Sequence, residues 1–159
     1  MPDPTAPALK ARLQSDLTEA IRGRNELQAA TLRMALTAVR SEEVAGEFAR
    51  ELSDEEVVTV LGREAKKRRE AATAFDGAGR TDKARRELDE LGVLQGYLPT
   101  QLTDEEIAAL VAEEVAVAKA AGATGMGAMG RVMKAVQPRV AGRAEGGRIA
   151  AEVRRQLAG

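Results

Sequence analysis

Carboxylates are the only side chains here suited to proton transfer near neutral pH. The 159 residues hold no histidine and no cysteine. The commonest general base, the usual zinc ligands and every thiol nucleophile are therefore missing together. Acid–base work by carboxylates needs two of them flanking one bond. Glu113-Glu114 and Asp89-Glu90 are adjacent in the chain, so on a helix they point about 100° apart. Asp104, Glu105 and Glu106 read as a helix start, where acids are favoured by the macrodipole. No catalytic constellation emerges, and none of these groups calls for a metal or cofactor.

The cations offer a second kind of chemistry, the binding of phosphate. Residues 1–119 hold 17 basic and 23 acidic side chains, whereas residues 120–159 hold 7 basic and 2 acidic. The near-zero total of −1 thus hides a basic end able to orient the chain on a polyanion. Its candidate contacts are Arg131, Lys134, Arg139, Arg143, Arg148, Arg154 and Arg155. A second group, Lys66, Lys67 and Arg69, lies in the run R-E-A-K-K-R-R-E at 63–70. That run reads either as a solvated helix face, with Glu64 pairing Arg68 at i, i+4, or as a phosphate-contacting face.

Glycine adds a third signal. Gly127, Gly130 and Gly146 stand where another backbone could approach closely, either a neighbouring helix or an RNA chain. Met126, Met129 and Met133 share helical spacing, which suits core packing or docking. The segment G-R-A-E-G-G-R at 142–148 reads either as an anion site at a helix start or as a turn eased by glycine. It lacks the Gly-Lys-Ser/Thr ending of a Walker loop, and no strand precedes it as a dinucleotide fingerprint requires.

Helices must position these groups. Ala, Glu, Arg and Leu dominate, aromatics make up 2%, and no stretch approaches the roughly 20 apolar residues of a membrane span. Leu9, Leu13, Leu17 and Ile21 predict a first helix ending near Gly23. Leu27, Met34 and Ala38 predict a second, through about Val44. Ser53-Asp54-Glu55-Glu56 and Thr103-Asp104-Glu105-Glu106 are capping boxes that open the third and fifth. The third runs to Phe75. Thr81-Asp82 starts a fourth carrying Leu88, Leu91, Leu94 and Tyr97, closed by Pro99. A Met stripe ended by Pro138 predicts a sixth, and Ile149, Val153 and Leu157 a seventh. Pro2, Pro4 and Pro7 predict a frayed tail, without the pattern of a signal peptide. The expectation is an all-α protein of two small helical bundles. Residues 1–98 make about four long helices, and 99–159 about three short ones, basic at the end.

Several short segments form an ordered series along the chain. They are T-L-R-M at 31–34, K-R-R-E at 67–70, F-D-G-A-G-R at 75–80 and L-G-V-L-Q-G-Y-L-P-T-Q-L at 91–102. D-E-E-I at 104–107, G-M-G-A-M-G-R-V-M at 125–133 and G-R-A-E-G at 142–146 continue it. Together they resemble the YqeY-like family, from about Leu9 to Leu157. The resemblance implies a helical module shared with the tail of one component of the glutamyl/aspartyl-tRNA amidotransferase and with an appendage of some glutaminyl-tRNA synthetases. It also implies a role in holding tRNA, with Gly127, Met129, Gly130, Arg143 and Gly146 matching the family's glycine stripe and turn. Relatives usually carry Asp where this chain has Glu145.

The function expected is a non-catalytic, cytoplasmic tRNA-binding helper. It would partner tRNA and an aminoacyl-tRNA synthetase or amidotransferase, and no membrane; any carbon–nitrogen ligase chemistry would reside in the larger enzyme. With three aromatics, contacts would be to phosphate and RNA shape rather than stacked bases. The rival reading is a protein-binding adaptor docking its Met-rich helix on a partner enzyme without RNA contact. A small carboxylate enzyme is a third.

Overall fold

The computed structural model describes residues 8–140 and 142–159, so the proline tail of Pro2, Pro4 and Pro7 lies outside the described residues. Among the described residues the fold is all-α, with seven α-helices, one 3₁₀ turn and no strand. The helices are α1 (Leu9–Arg22), α2 (Glu26–Glu43), α3 (Asp54–Gly77), α4 (Thr81–Gln95), α5 (Asp104–Ala120), α6 (Met129–Val140) and α7 (Gly146–Ala158). The 3₁₀ turn, Gly125–Ala128, leads into α6. The chain divides into two compact units, Met1–Leu98 and Pro99–Gly159.

The N-terminal unit packs α1–α4 around Leu13, Leu32, Val39, Val57, Leu61 and Leu94, all fully buried. The helix ends are set by local chemistry. In α3 the Ser53 hydroxyl accepts from the Glu56 N–H at 3.2 Å while the Glu56 carboxylate accepts from the Ser53 N–H at 2.8 Å. Glu56 also takes both ends of the Arg50 guanidinium. The Arg50 hydrogen bonds, then the Ser53 N–H, pull its carboxyl down to about 2. Asp54 serves a second helix, its Oδ1 accepting the free N–H of Leu9 at the start of α1 at 3.0 Å.

Tyr97 ties the end of this unit to α1. Its hydroxyl donates to Asp16 Oδ2 at 2.6 Å, and the Arg12 guanidinium stacks 4.8 Å from the ring centre. Burial, then the Asp16 carboxylate, push the phenol up to about 12. Because the chain has one tyrosine and no tryptophan, its near-ultraviolet absorbance titrates this one group. The titration midpoint should lie near 12 and fall in Asp16→Asn; a midpoint at the ordinary value would mean the contact does not form in solution.

The C-terminal unit packs α5, α6 and α7 around Ile107, Val111, Val132, Val136, Ile149 and Val153. Thr103 and Glu106 close the second capping box at 3.1 and 2.8 Å. Thr103→Ala should lower stability by about 1 kcal/mol in chemical denaturation. α5 ends where Gly122 turns left-handed at φ +88°, letting the Ala123 N–H reach back to the Ala118 carbonyl.

Four helix expectations are corrected by packing. The Met stripe does not form one helix, because Gly125–Ala128 winds as 3₁₀ before α6 begins. Pro138 does not end α6, which runs on to buried Val140. A proline in the last turn removes a single N–H, and its exposed ring meets no core. The fourth helix stops at Gln95, leaving Tyr97 in the turn beyond. Ile21, Leu88 and Met34, on core-type spacing, are about half exposed, and Met34 meets α3 through the Arg68 guanidinium.

Candidate nucleic-acid interface

The ten predicted cations fall into two groups, one in each unit. Lys66, Lys67 and Arg69 stand on α3. Lys67 pairs with Glu64 at 3.0 Å, and Lys66 lies 3.9 Å from Glu70. Arg69 is half-buried and also engaged. Between them Arg68, which the phosphate-face reading passed over, is buried. Its Nη1 donates to Glu64 Oε2 at 2.6 Å, its Nη2 to the Met34 sulfur at 3.5 Å, and Glu90 Oε2 stands 3.5 Å from its Nε. The i, i+4 pairing of Glu64 with Arg68 forms, but inside the unit rather than on a solvated face.

In the C-terminal unit four of the seven cations are committed to the fold. Arg139 is gripped by Glu113 at 2.6 Å and Glu114 at 3.0 Å across α5, and both hydrogen bonds raise its pKa. Arg155 pairs with Glu152 one turn back; that contact, then Gln156, draws the Glu152 carboxyl down to about 2. The G-R-A-E-G-G-R turn is a strap. Arg143 Nε donates to the Thr100 carbonyl at 3.1 Å, and the Arg143 carbonyl accepts from the Leu102 N–H at 2.7 Å. Arg148 donates to the Leu102 carbonyl at 3.1 Å and to Asp104 Oδ1 at 2.6 Å. The two arginines thus fasten the start of α5 to the α6–α7 turn and to the first turn of α7.

Arg131, Lys134 and Arg154 remain. All three are exposed and, among the described residues, make no ion pair or side-chain hydrogen bond. Val132, Val136 and Val140 turn one side of α6 into the core. At about 100° per residue, Arg131 and Lys134 lie on the opposite side, each about 150° from the inward direction. No acid occurs between Glu114 and Glu145, so every charged side chain of α6 itself is a cation.

The glycines sharpen the picture. A Cβ built on Gly127, Gly130, Gly146 or Gly147 meets nothing within 4 Å, and none of the four has a positive φ. No neighbouring atom stands where their side chains would begin, which removes the internal half of the close-approach reading. Inside a helix, glycine costs about 1 kcal/mol relative to alanine. In α6, Gly130 precedes Arg131 and stands one turn before Lys134, so bare backbone borders the two free cations. Met129 and Met133 pack on the core, while Met126 is 52% exposed.

Among the described residues no group of acids is placed to hold a metal ion, and no helix is long and apolar enough to cross a membrane. The family profile described as Yqey-like protein matches residues 10–157. No curated protein matches the chain significantly in sequence.

Proposed function

The chain belongs to the YqeY-like family, and from that membership we propose that it is a non-catalytic, cytoplasmic tRNA-binding helper, steadying tRNA for a synthetase or amidotransferase. The observation that carries this reading is the outer face of α6. There Arg131 and Lys134, free of carboxylate partners, follow Gly130, a glycine that neither packing nor backbone conformation requires. Free guanidinium and ammonium groups bind phosphate by charge and by directed hydrogen bonds. Bare backbone beside them allows a sugar–phosphate chain to come within contact distance. Arg154 on α7 is the third free cation of the set. Arg139, Arg143 and Arg148 act one step back, by holding α5, α6 and α7 together, while Arg155 pairs within α7.

Binding of deacylated tRNA across a salt series tests the reading. With three phosphates engaged, the log–log slope should be about −2.7, a loss of roughly 40-fold between about 50 and 200 mM salt. Gly130→Ala separates recognition from folding. It should leave the fold intact, or stabilise it by up to about 1 kcal/mol, and yet weaken tRNA binding. Absence of binding at low salt would sink the proposal.

A further inference from the structure

The loop between α2 and α3 displays the most exposed large apolar side chain of the described residues. Phe48 is 79% exposed, and Val44 beside it 66%. The other two aromatics are already covered by cations of the same unit, Tyr97 by Arg12 and Phe75 by Lys83 at 5.5 Å. The Phe48 loop is also held in shape. Its Arg50 N–H donates to the Glu43 carbonyl at 3.0 Å, closing the loop onto the end of α2. The Arg50 side chain binds Glu56 at 2.7 and 2.9 Å, pinning it to α3.

The charge around Phe48 selects what can cover it. Residues 41–56 carry seven acids and one cation, Arg50; Lys10 and Arg63 pair with Glu43 and Glu42 from neighbouring helices, and the frame stays acidic. Such a frame repels phosphate, so an RNA base is a poor occupant. A cationic surface with its own exposed apolar groups is a good one. The C-terminal unit offers that surface. Met126, in the 3₁₀ turn that leads into α6, is 52% exposed. Arg131 and Lys134 follow it on the outer side of α6, within the acid-free stretch 115–144.

We infer that the acidic Phe48 loop of one copy docks on the basic, Met126-bearing end of the C-terminal unit of a second copy. The two surfaces differ, so the contact is heterologous, and nothing in it limits assembly to a dimer. Resting on the tRNA reading, it carries a regulatory consequence. The second copy and tRNA compete for Arg131 and Lys134, so assembly masks the RNA face and tRNA dissolves the assembly.

Sedimentation velocity of the full chain at low salt, from about 10 to 500 μM, tests the contact, a range suited to a small interface. The mean mass should rise with concentration and fall with added salt. Phe48→Ser should weaken association by roughly 30-fold, the effect of losing an aromatic anchor. Arg131→Glu/Lys134→Glu should abolish it. A one-to-one mixture of these two variants, each monomeric alone and folded by circular dichroism, should pair and stop at a dimer. Only one intact knob and one intact socket remain in that mixture. Monomeric wild type throughout, association indifferent to Phe48, or failure of the variants to pair would each overturn the inference. Measured with the chain dilute, Phe48→Ser should bind tRNA like wild type. Pairing without any tRNA binding would sustain the docking and sink the tRNA reading.

Discussion

Arg68→Ala is expected to lower the unfolding free energy of the chain by about 3–5 kcal/mol, the range for breaking a buried ion pair from one side. The side chain is 6% exposed and lies between Glu64 at 2.6 Å and Glu90 at 3.5 Å, themselves nearly buried. Removing the guanidinium leaves two carboxylates in the interior of the N-terminal unit with only Lys67 and Arg86 at their outer edges. The deficit should depend on pH in a defined direction. In the wild type burial raises the pKa of Glu64, but its hydrogen bonds from Lys67 and Arg68 outweigh this and hold it below the ordinary value. Its stabilising contribution is therefore present above the unfolded pKa and lost as pH falls. Without Arg68, burial dominates and the folded pKa rises. A group shifted upward is least destabilising below the unfolded pKa, so the variant should recover toward wild type at about pH 4. Urea denaturation at both pH values checks both statements. A loss below about 1 kcal/mol at neutral pH would mean that water already solvates the cluster. Replacing all three residues by apolar ones of similar volume should restore much of the stability, since the pair offsets its own desolvation and little more.

Arg131→Glu/Lys134→Glu should weaken tRNA binding by roughly 100-fold, taking about 1.5 kcal/mol for each lost charge-assisted contact. Both side chains are exposed and unpartnered, so stability should barely change. The salt slope should fall by about 1.8, leaving a residual dependence from Arg154. Arg143→Ala makes the informative contrast. Arg143 stitches Thr100 to the α6–α7 turn, so its loss should show first in stability and only secondarily in the salt slope. Equal effects of the two variants on affinity, with no change in stability for either, would place the phosphate contacts on the turn instead.

Much of this could be read along the chain because it is local. Both capping boxes join residues three apart, and both form where the sequence places them. The pairing of Glu64 with Arg68 follows from i, i+4 spacing. Helix ends at Arg22 and Glu43 fall at or near the expected glycines and polar turns. The glycines of the Met stripe stand out by propensity alone, and the fold then leaves the space around Gly127 and Gly130 open. Periodicity says which side chains share a helix face; it does not say whether another helix arrives to cover them. Ile21, Met34 and Leu88 therefore read as core and are half exposed.

The division is sharpest among the arginines. Sequence by itself determined the helical class, the caps, the basic end and the family. It treated seven cations of that end as equivalent, because composition and spacing carry no information about partners distant in the chain. Only tertiary structure decided which of them are spoken for. Arg139 meets Glu113 and Glu114 from 26 and 25 residues away, Arg148 meets Asp104 from 44, and Arg143 meets Thr100 from 43. Arg68 likewise became a buried ion only when α4 brought Glu90 against α3. Such pairings depend on which helices pack together, and that choice is made by the apolar faces rather than by the charges.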